Sequence, residues 1–233
     1  MFGTIAAITL LATCVVAAVH FFWFRRRRAE MQPGSGVVRR WSCWHRCLHG
    51  LTVLSFVVLG VTGLVSAIAL GGLQGWWLLA HMLAAPVYAV SLTTMVVMWA
   101  DSCRFVRHDA DWLRRAGGFL GRRDILPADK FDAGQKMFFW IVTILGFLAL
   151  ASMMASMTSI FGQGATVVLH AIHRYSALGL VVVVILHTYV TGFAKPGTLW
   201  AMLSGRVSID WARQYHPLWL ERLESESERN HEK

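Results

Sequence analysis

The stretch HRYSALGLVVVVILHTYV, residues 173–190, decides the fold. It opens and nearly closes on a histidine, and after Arg174 it carries no charged residue until well past its end. About 20 consecutive apolar residues are enough for a helix to cross a hydrocarbon core of about 30 Å. Lipid offers no hydrogen-bond partners, so a helix is the natural form for such a segment. The stretch therefore predicts a transmembrane helix with a histidine near each end.

The rest of the chain repeats this pattern. Runs nearly free of charge occur at about 2–24, 49–70, 78–100, 137–161 and 175–194. The chain has 233 residues, 56% of them hydrophobic, and a soluble domain of this size does not need so much apolar surface. We therefore predict an all-α integral membrane protein, in which a four-helix transmembrane bundle is preceded by one additional N-terminal transmembrane helix.

The composition divides the chain into four parts. We expect an N-terminal transmembrane helix at 1–28, a flexible linker at 29–40, a four-helix bundle at 41–194 with an inner loop at 104–136, and a C-terminal tail at 195–233. Within the inner loop we expect a short helix around Asp111–Phe119. Beyond residue 205 the tail alternates charges with large aromatic residues, which is typical of a helix at the membrane surface or against a partner.

The basic residues predict the orientation. Of the 22 lysine and arginine residues, 21 lie on connections of one parity, whereas the short loops 71–77 and 162–168 carry no charge. Basic loops stay in the cytoplasm, so we expect a multi-pass membrane protein with its N-terminus outside and its C-terminus inside. The net charge of +9 thus reflects contact with membrane lipid and topology, and we expect no nucleic-acid partner.

Histidines within the spans indicate a bound group, because burying an ionisable residue in a membrane without a partner is costly. His173 and His187 are fourteen residues apart, about 40° short of four full helical turns, so they share one face and lie roughly 21 Å apart along the axis. This places one near each leaflet, as two macrocycles stacked across a membrane require. His170 is rotated by about 100° from His187 and is the weaker ligand candidate.

A second histidine lies at the membrane depth of each of these two residues. His81 opens the third span at the outer level of His173, and His49 opens the second span at the inner level of His187. We therefore predict that His81 and His173 hold the iron of an outer haem, and that His49 and His187 hold that of an inner haem. His45 lies one turn before His49 on the same face and stays an alternative inner ligand.

Two further observations concern how a haem could be held. The sequence contains no Cys-x-x-Cys-His, which excludes covalent c-type attachment. Arg174 is the one basic residue on the outer side, where it could pair with a propionate of the outer haem or with an acidic partner surface. Simple snorkelling of its long side chain to the interface is the alternative.

Several motifs resemble a known family. These are RCLHG at 46–50, LLAH at 78–81, DAGQKMFFW at 132–140 and GTLWAMLSGRVSIDWARQYHPLW at 197–219, together with the opening stretch. From about residue 40 to 220 the chain resembles the gamma subunit, a di-haem cytochrome b, of membrane-bound respiratory formate dehydrogenase. The resemblance implies two b-type haems on the matching histidines. It also implies a quinone site beside the inner haem, formed by Asp132, Gly134, Gln135, Lys136 and His187.

Two features depart from the family pattern. Asp132 replaces the usual asparagine before AGQK, and its carboxylate could relay protons or cap the helix that begins near Ala133. The additional first span is also not part of the four-helix unit, and either docks an accessory subunit or serves as an anchor.

The resemblance implies an electron-carrying role for the chain. We expect it to take electrons from an iron–sulfur beta subunit and a molybdenum or tungsten alpha subunit that oxidises formate, and to reduce menaquinone or ubiquinone. The formate-oxidising residues would lie in the partner. The alternatives are the cytochrome b subunit of a nickel–iron hydrogenase or of another molybdenum oxidoreductase, and a non-redox membrane anchor.

Overall fold

The computed structural model describes residues 1–25, 36–119 and 125–231 and confirms the all-α membrane architecture. Five helices in this part of the chain are long and apolar enough to cross a membrane: α1 (Phe2–Arg25), α2 (Cys43–Val65), α3 (Gly75–Trp99), α5 (Ala133–Ser156) and α6 (Gly162–Tyr189). A π turn extends α2 through Ser66–Leu70, and another extends α6 through Val190–Ala194. At most 28% of the apolar stretch of any span is buried within the chain.

The last span is longer than the hydropathy pattern predicts. Helix α6 begins at Gly162, so residues 162–168, which we expected to form an outer loop, belong to its first turns. The connection from α5 is short and contains a 3₁₀ turn at Ser159–Phe161. The expectation was wrong because hydropathy reports immersion in lipid, and the less apolar residues Gly162–Thr166 can be helical without being immersed.

By its contacts the chain divides into two compact units, and the first of them contains the packed spans. This membrane unit comprises Met1–Ala17, Cys47–Met98 and Trp140–Thr188. Small residues bring its helices together. A Cβ built on Gly60 of α2 would lie 3.9 Å from Val181 of α6, and one on Gly179 of α6 would lie 3.1 Å from Leu145 of α5. A Cβ on Gly146 of α5 would lie 2.6 Å from Leu92 of α3, so α2, α3, α5 and α6 form the expected four-helix bundle.

The additional helix α1 packs on the bundle at its first turn. A Cβ on Gly3 would lie 2.5 Å from the carbonyl oxygen of Ala67, so only glycine allows this approach. The ring of Phe2 meets that of Tyr175 edge-on, with centres 5.4 Å apart. Within the membrane unit, therefore, α1 touches both α2 and α6.

The second unit, here called the charged unit, comprises Ala18–Arg46, Trp99–Phe139 and Tyr189–Lys233. It contains α4 (Arg107–Arg114), α7 (Thr198–Ser204), α8 (Ile209–Tyr215) and α9 (Pro217–His231), with an antiparallel pair of short strands, β1 (Val37–Arg39) and β2 (Arg206–Ser208). Strand β1 occupies part of the expected linker 29–40, whose residues 29–35 lie outside the described residues.

Two expectations for the charged unit differ from the structure. The helix expected around Asp111–Phe119 begins and ends earlier, at Arg107–Arg114, because Ala116, Gly117 and Gly118 adopt positive φ values and break it. The aromatic residues of the tail face inward rather than a partner. Trp211 and Trp219 belong to a buried cluster, and Tyr215 packs against it. The other members of the cluster are Ala201, Val207, Ala212 and Leu220.

Candidate functional site

The membrane unit brings His81 of α3 and His173 of α6 together, as the depth argument predicts. Their ring centres lie 6.3 Å apart and their planes make an angle of 71°. Both side chains are half-buried. A Cβ on Gly63 of α2 would lie 3.5 Å from the Cε1 atom of His81, so this helix passes close to the imidazole edge.

Hydrogen bonds fix the tautomer of both imidazoles. Nδ1 of His173 lies 2.9 Å from the carbonyl oxygen of Ala149, which only accepts, so this nitrogen carries the proton. Nδ1 of His81 lies 2.8 Å from Oγ1 of Thr62. That hydroxyl donates to the carbonyl oxygen of Val58 at 2.6 Å and therefore accepts from His81. Each Nε2 is thus left with a lone pair, which is the arrangement that metal-ligating histidines require.

The inner candidates lie on α2 and α6, where His49 and His187 are both half-buried in the membrane unit. His45, the alternative ligand, belongs to the charged unit and is held by other contacts there. Its Nδ1 lies 2.6 Å from Oγ of Ser42, and its ring stacks on Trp99 with centres 6.0 Å apart and planes 8° apart. This environment favours His49 as the inner ligand.

Arg174 is exposed and lies next to His173 on α6. Its guanidinium carbon is 5.9 Å from the centre of the Phe2 ring on α1, a cation–π distance. The structure thus gives Arg174 a contact with the additional helix, and this contact leaves its charge available to an anionic group.

Asp132 caps α5. Its Oδ1 accepts a hydrogen bond from the backbone N–H of Gln135 at 2.8 Å, and Oε1 of Gln135 accepts one from the backbone N–H of Asp132 at 3.1 Å. This reciprocal pair is a capping box, which satisfies two backbone donors at the helix start. Two residues of the expected quinone site therefore also define where α5 begins.

The second carboxylate oxygen of Asp132 has a partner that the sequence did not indicate. Nζ of Lys195 lies 2.6 Å from Oδ2, and both side chains are buried. The same ammonium also donates to Nε2 of His216 at 3.0 Å, and Nη2 of Arg40 approaches that nitrogen at 3.2 Å. Only the position of Lys195 directly after a long apolar span could have drawn attention to it.

Burial governs the protonation of this cluster. Desolvation lowers the pKa of Arg40 to about 9 and lowers that of Lys195, which the charge of Asp132 partly offsets. His216 is fully buried, and desolvation together with the two cations holds its pKa well below its usual value. Its Nδ1 donates to the carbonyl oxygen of Asp129 at 2.6 Å. The ring is therefore neutral and accepts through Nε2.

Two further residues of the expected quinone site, Gly134 and Lys136, contact α4. Nζ of Lys136 lies 2.8 Å from Oδ2 of Asp109, and both side chains are buried. A Cβ on Gly134 would lie 2.5 Å from the Trp112 ring, so the glycine lets α4 approach the first turn of α5. The structure gives both residues a role in holding α4.

The match to a family agrees with this arrangement. The model of the family described as prokaryotic cytochrome b561 matches residues 40–205, which include α2, α3, α5 and α6. The chain belongs to the prokaryotic cytochrome b561 family. Membership implies a bound haem b and confirms a multi-pass membrane protein.

Curated relatives of this cytochrome are similar over much of the chain. The cytochrome b556(fdo) subunit of formate dehydrogenase from Escherichia coli K12 is 25% identical over 205 residues, covering 83% of this chain and 96% of the relative. The nitrate-inducible cytochrome b556(Fdn) subunit from the same organism is 30% identical over 133 residues, covering 52% of this chain and 61% of the relative. The family resemblance noted in the sequence is thereby confirmed.

The residues of this cytochrome fit a haem. Metal–imidazole bonds are about 2.0–2.1 Å long, so two imidazoles that share one iron have ring centres roughly 6.3 Å apart. The His81–His173 separation of 6.3 Å matches this value. A haem iron needs only these two ligands from the protein, because the macrocycle supplies the other four.

Proposed function

We propose that this chain is the membrane-anchoring di-haem cytochrome b subunit of a respiratory formate dehydrogenase, carrying electrons from an external formate-oxidising partner across the membrane to quinone. The observation that carries the proposal is the His81–His173 pair, 6.3 Å apart, with each Nδ1 proton already engaged. A bound haem supplies one-electron transfer, which neither imidazole supplies alone. The protein's part is to hold, orient and bury the two macrocycles.

At the outer site, His81 and His173 present their Nε2 lone pairs. The bonds to Thr62 and Ala149 keep the rings in one tautomer and one orientation, which raises their basicity as ligands. Arg174 beside His173 would supply a positive charge for a propionate. A haem here would lie near the outer end of the bundle, toward an iron–sulfur beta subunit.

At the inner site, His49 and His187 would hold the second haem. The fourteen residues between His173 and His187 separate the two sites by roughly 21 Å along α6. The contact between Gly60 and Val181 supports the pairing, because it shows that α2 and α6 are neighbours. The stacking of His45 on Trp99 supports His49 over His45.

Quinone would bind at the inner end, near Asp132, Gly134, Gln135, Lys136 and His187. Quinone reduction consumes protons, and Asp132 and Lys136 are buried charged groups one helical turn apart. The capping box supports a structural role for Asp132, and its pairing with Lys195 supports an additional electrostatic one. Whether the quinone is menaquinone or ubiquinone depends on the host membrane.

The charge distribution supports the proposed orientation of the chain in the membrane. The 21 basic residues on connections of one parity support a cytoplasmic C-terminus in the inner membrane. The similarity to formate dehydrogenase subunits supports a molybdenum or tungsten alpha subunit and an iron–sulfur beta subunit as partners. Moving electrons inward against a potential stores about 2.3 kcal/mol per charge per 100 mV.

Purification of the intact complex from native membranes tests the proposal. We expect two b-type haems per chain in the reduced absorption spectrum, and quinone reduction driven by formate. His173→Ala and His49→Ala should each remove one haem, whereas the matched variants His170→Ala and His45→Ala should keep both.

Each contrary result has a distinct meaning. Loss of a haem in His45→Ala but not in His49→Ala would reassign the inner ligand. Reduction by hydrogen rather than formate would show a hydrogenase subunit. A complex without b-type absorption would leave only a membrane anchor.

A further inference from the structure

A second buried ion pair lies between α4 and α5, separate from the proposed haem ligands. Oδ2 of Asp109 is 2.8 Å from Nζ of Lys136, and the two side chains are only 2% and 3% exposed. Burying two charges costs several kcal/mol per ion, and an apolar pair of similar size is often at least as stable. A pair retained at such a cost suggests a function for the charges themselves.

His108 lies between this pair and the surface of the chain. Its side chain is 30% exposed, yet its Nε2 is buried and lies 3.9 Å from Oδ1 of Asp109. Among the described residues neither of these two atoms has a hydrogen-bond partner. A buried carboxylate oxygen without a donor is costly, and an N–H at Nε2 of His108 could supply one.

The other groups around the pair leave this path open. The Cys103 thiol is fully buried beside Lys136, and burial raises its pKa to about 12, so it stays protonated and does not compete. Oδ2 of Asp109 also accepts from the backbone N–H of Val106 at 2.8 Å, which fixes the carboxylate. Asp132, at the start of α5, is already engaged, because its two oxygens accept from Gln135 and Lys195.

We infer that His108, Asp109 and Lys136 form a relay that carries protons from water to the quinone of the proposed function, on which this inference rests. For each proton delivered, the Lys136 ammonium gives one proton to a quinone oxygen. It recovers a proton from the Asp109 carboxyl, which takes one from the His108 imidazolium, and His108 takes one from water. Two such cycles, with two electrons arriving through the cytochrome, convert one quinone to one quinol.

The pH dependence of quinone reduction in the intact complex tests the relay. His108→Ala removes the exposed member with little effect on packing, since the ring is partly exposed. We expect formate-driven quinone reduction to slow by about tenfold at pH 8, a modest effect for acid–base catalysis, and to approach the wild-type rate at pH 6. Added imidazole should restore the rate at pH 8, while reduction of the haems by formate stays unchanged.

Control variants separate a relay from a structural contact. Arg107→Ala, next to His108 and exposed, should leave the pH profile unchanged. Asp109→Asn should slow the reaction without rescue by imidazole, because the interruption then lies beyond His108, whereas Asp109→Glu should retain most of the rate.

Two results would overturn the relay alone, provided that the wild-type complex reduces quinone. One is a pH profile of His108→Ala that matches wild type. The other is an equal loss at all pH values without imidazole rescue. A wild-type complex with both haems but without quinone reduction would instead overturn the proposed function, and the relay with it.

Discussion

The membrane unit and the charged unit treat polar groups in opposite ways. Of all the lysine, arginine, aspartate and glutamate residues in the sequence, the membrane unit contains only Arg174. Several of its buried hydroxyls donate to carbonyl oxygens one turn earlier on the same helix, as Thr52 does to Leu48 and Thr62 to Val58. In the charged unit, Arg40 donates to the carbonyl oxygen of Lys130 and Lys195 pairs with Asp132, 90 and 63 residues away in sequence.

This difference teaches that stability is organised locally in one unit and over long range in the other. A hydroxyl bonded within its own helix depends little on its neighbours. A buried ion pair depends on both partners, because removing one leaves an uncompensated charge. Substitutions that remove one polar partner should therefore affect the charged unit more strongly than the membrane unit.

The largest effect is expected for Lys195→Met. This change leaves the buried Asp132 carboxylate without its partner, and we expect the charged unit to lose about 3–5 kcal/mol of stability. The fully buried Cys103 thiol reports local opening, so its rate of alkylation should rise. The matched control Arg213→Met breaks an exposed pair with Asp210 and should cost less than about 1 kcal/mol. Equal alkylation rates in the two variants would show that the buried pair stabilises the charged unit no more than the exposed pair does.

Thr62→Val should have a smaller effect, and on haem rather than on folding. It removes the acceptor for Nδ1–H of His81, and loss of such a contact typically weakens metal binding by about 10–100-fold. Haem loss from the outer site in detergent, followed by absorbance, measures this. The matched control Thr52→Val removes a hydroxyl of α2 that bonds Leu48 and should keep haem affinity unchanged. A similar loss in both variants would show a general packing effect.

The smallest effect concerns pH. The folded pKa of His216 lies well below the unfolded value of about 6.5, so below that pH the unfolded chain binds a proton that the folded unit excludes. Stability of the charged unit is therefore complete above pH 6.5 and falls by up to about 1.4 kcal/mol per pH unit below it. Alkylation of Cys103 between pH 5 and 7, corrected for thiolate content, measures the slope. In His216→Gln the dependence of stability on pH should become flatter. An unchanged dependence would show that another group causes it.

The same difference explains what the sequence could predict. The five spans follow from hydropathy, and helical geometry with depth brought His81 and His173 to one level, where the structure also has them. Their role as ligands stays a prediction. The cap formed by Asp132 could be predicted because its partner Gln135 is three residues away.

Contacts over long sequence separations within the charged unit could not be predicted. The pairing of Val37–Arg39 with Arg206–Ser208 falls in a segment whose composition is typical of a linker. Lys195 and Asp109 look like ordinary charged residues near span ends and in a loop, and only the folded chain shows that each meets a buried partner. Gly134 belongs to the motif expected at the quinone site, and the folded chain adds a close approach of the Trp112 ring that the sequence did not indicate.

The π turn at Val190–Ala194 has a consequence for how such chains should be aligned. The backbone N–H of Lys195 donates to Val190, five residues earlier, at 2.7 Å, so the turn holds one residue more than an α-helix would. Deleting any one of the five would rotate Lys195 by about 100° and move it off the Asp132 carboxylate. The number of residues between His187 and Lys195 is thus as informative as their identity. A related chain with one residue fewer in this turn could not bring a lysine to the position of Lys195. We therefore expect such a chain to have an uncharged residue at the position of Asp132.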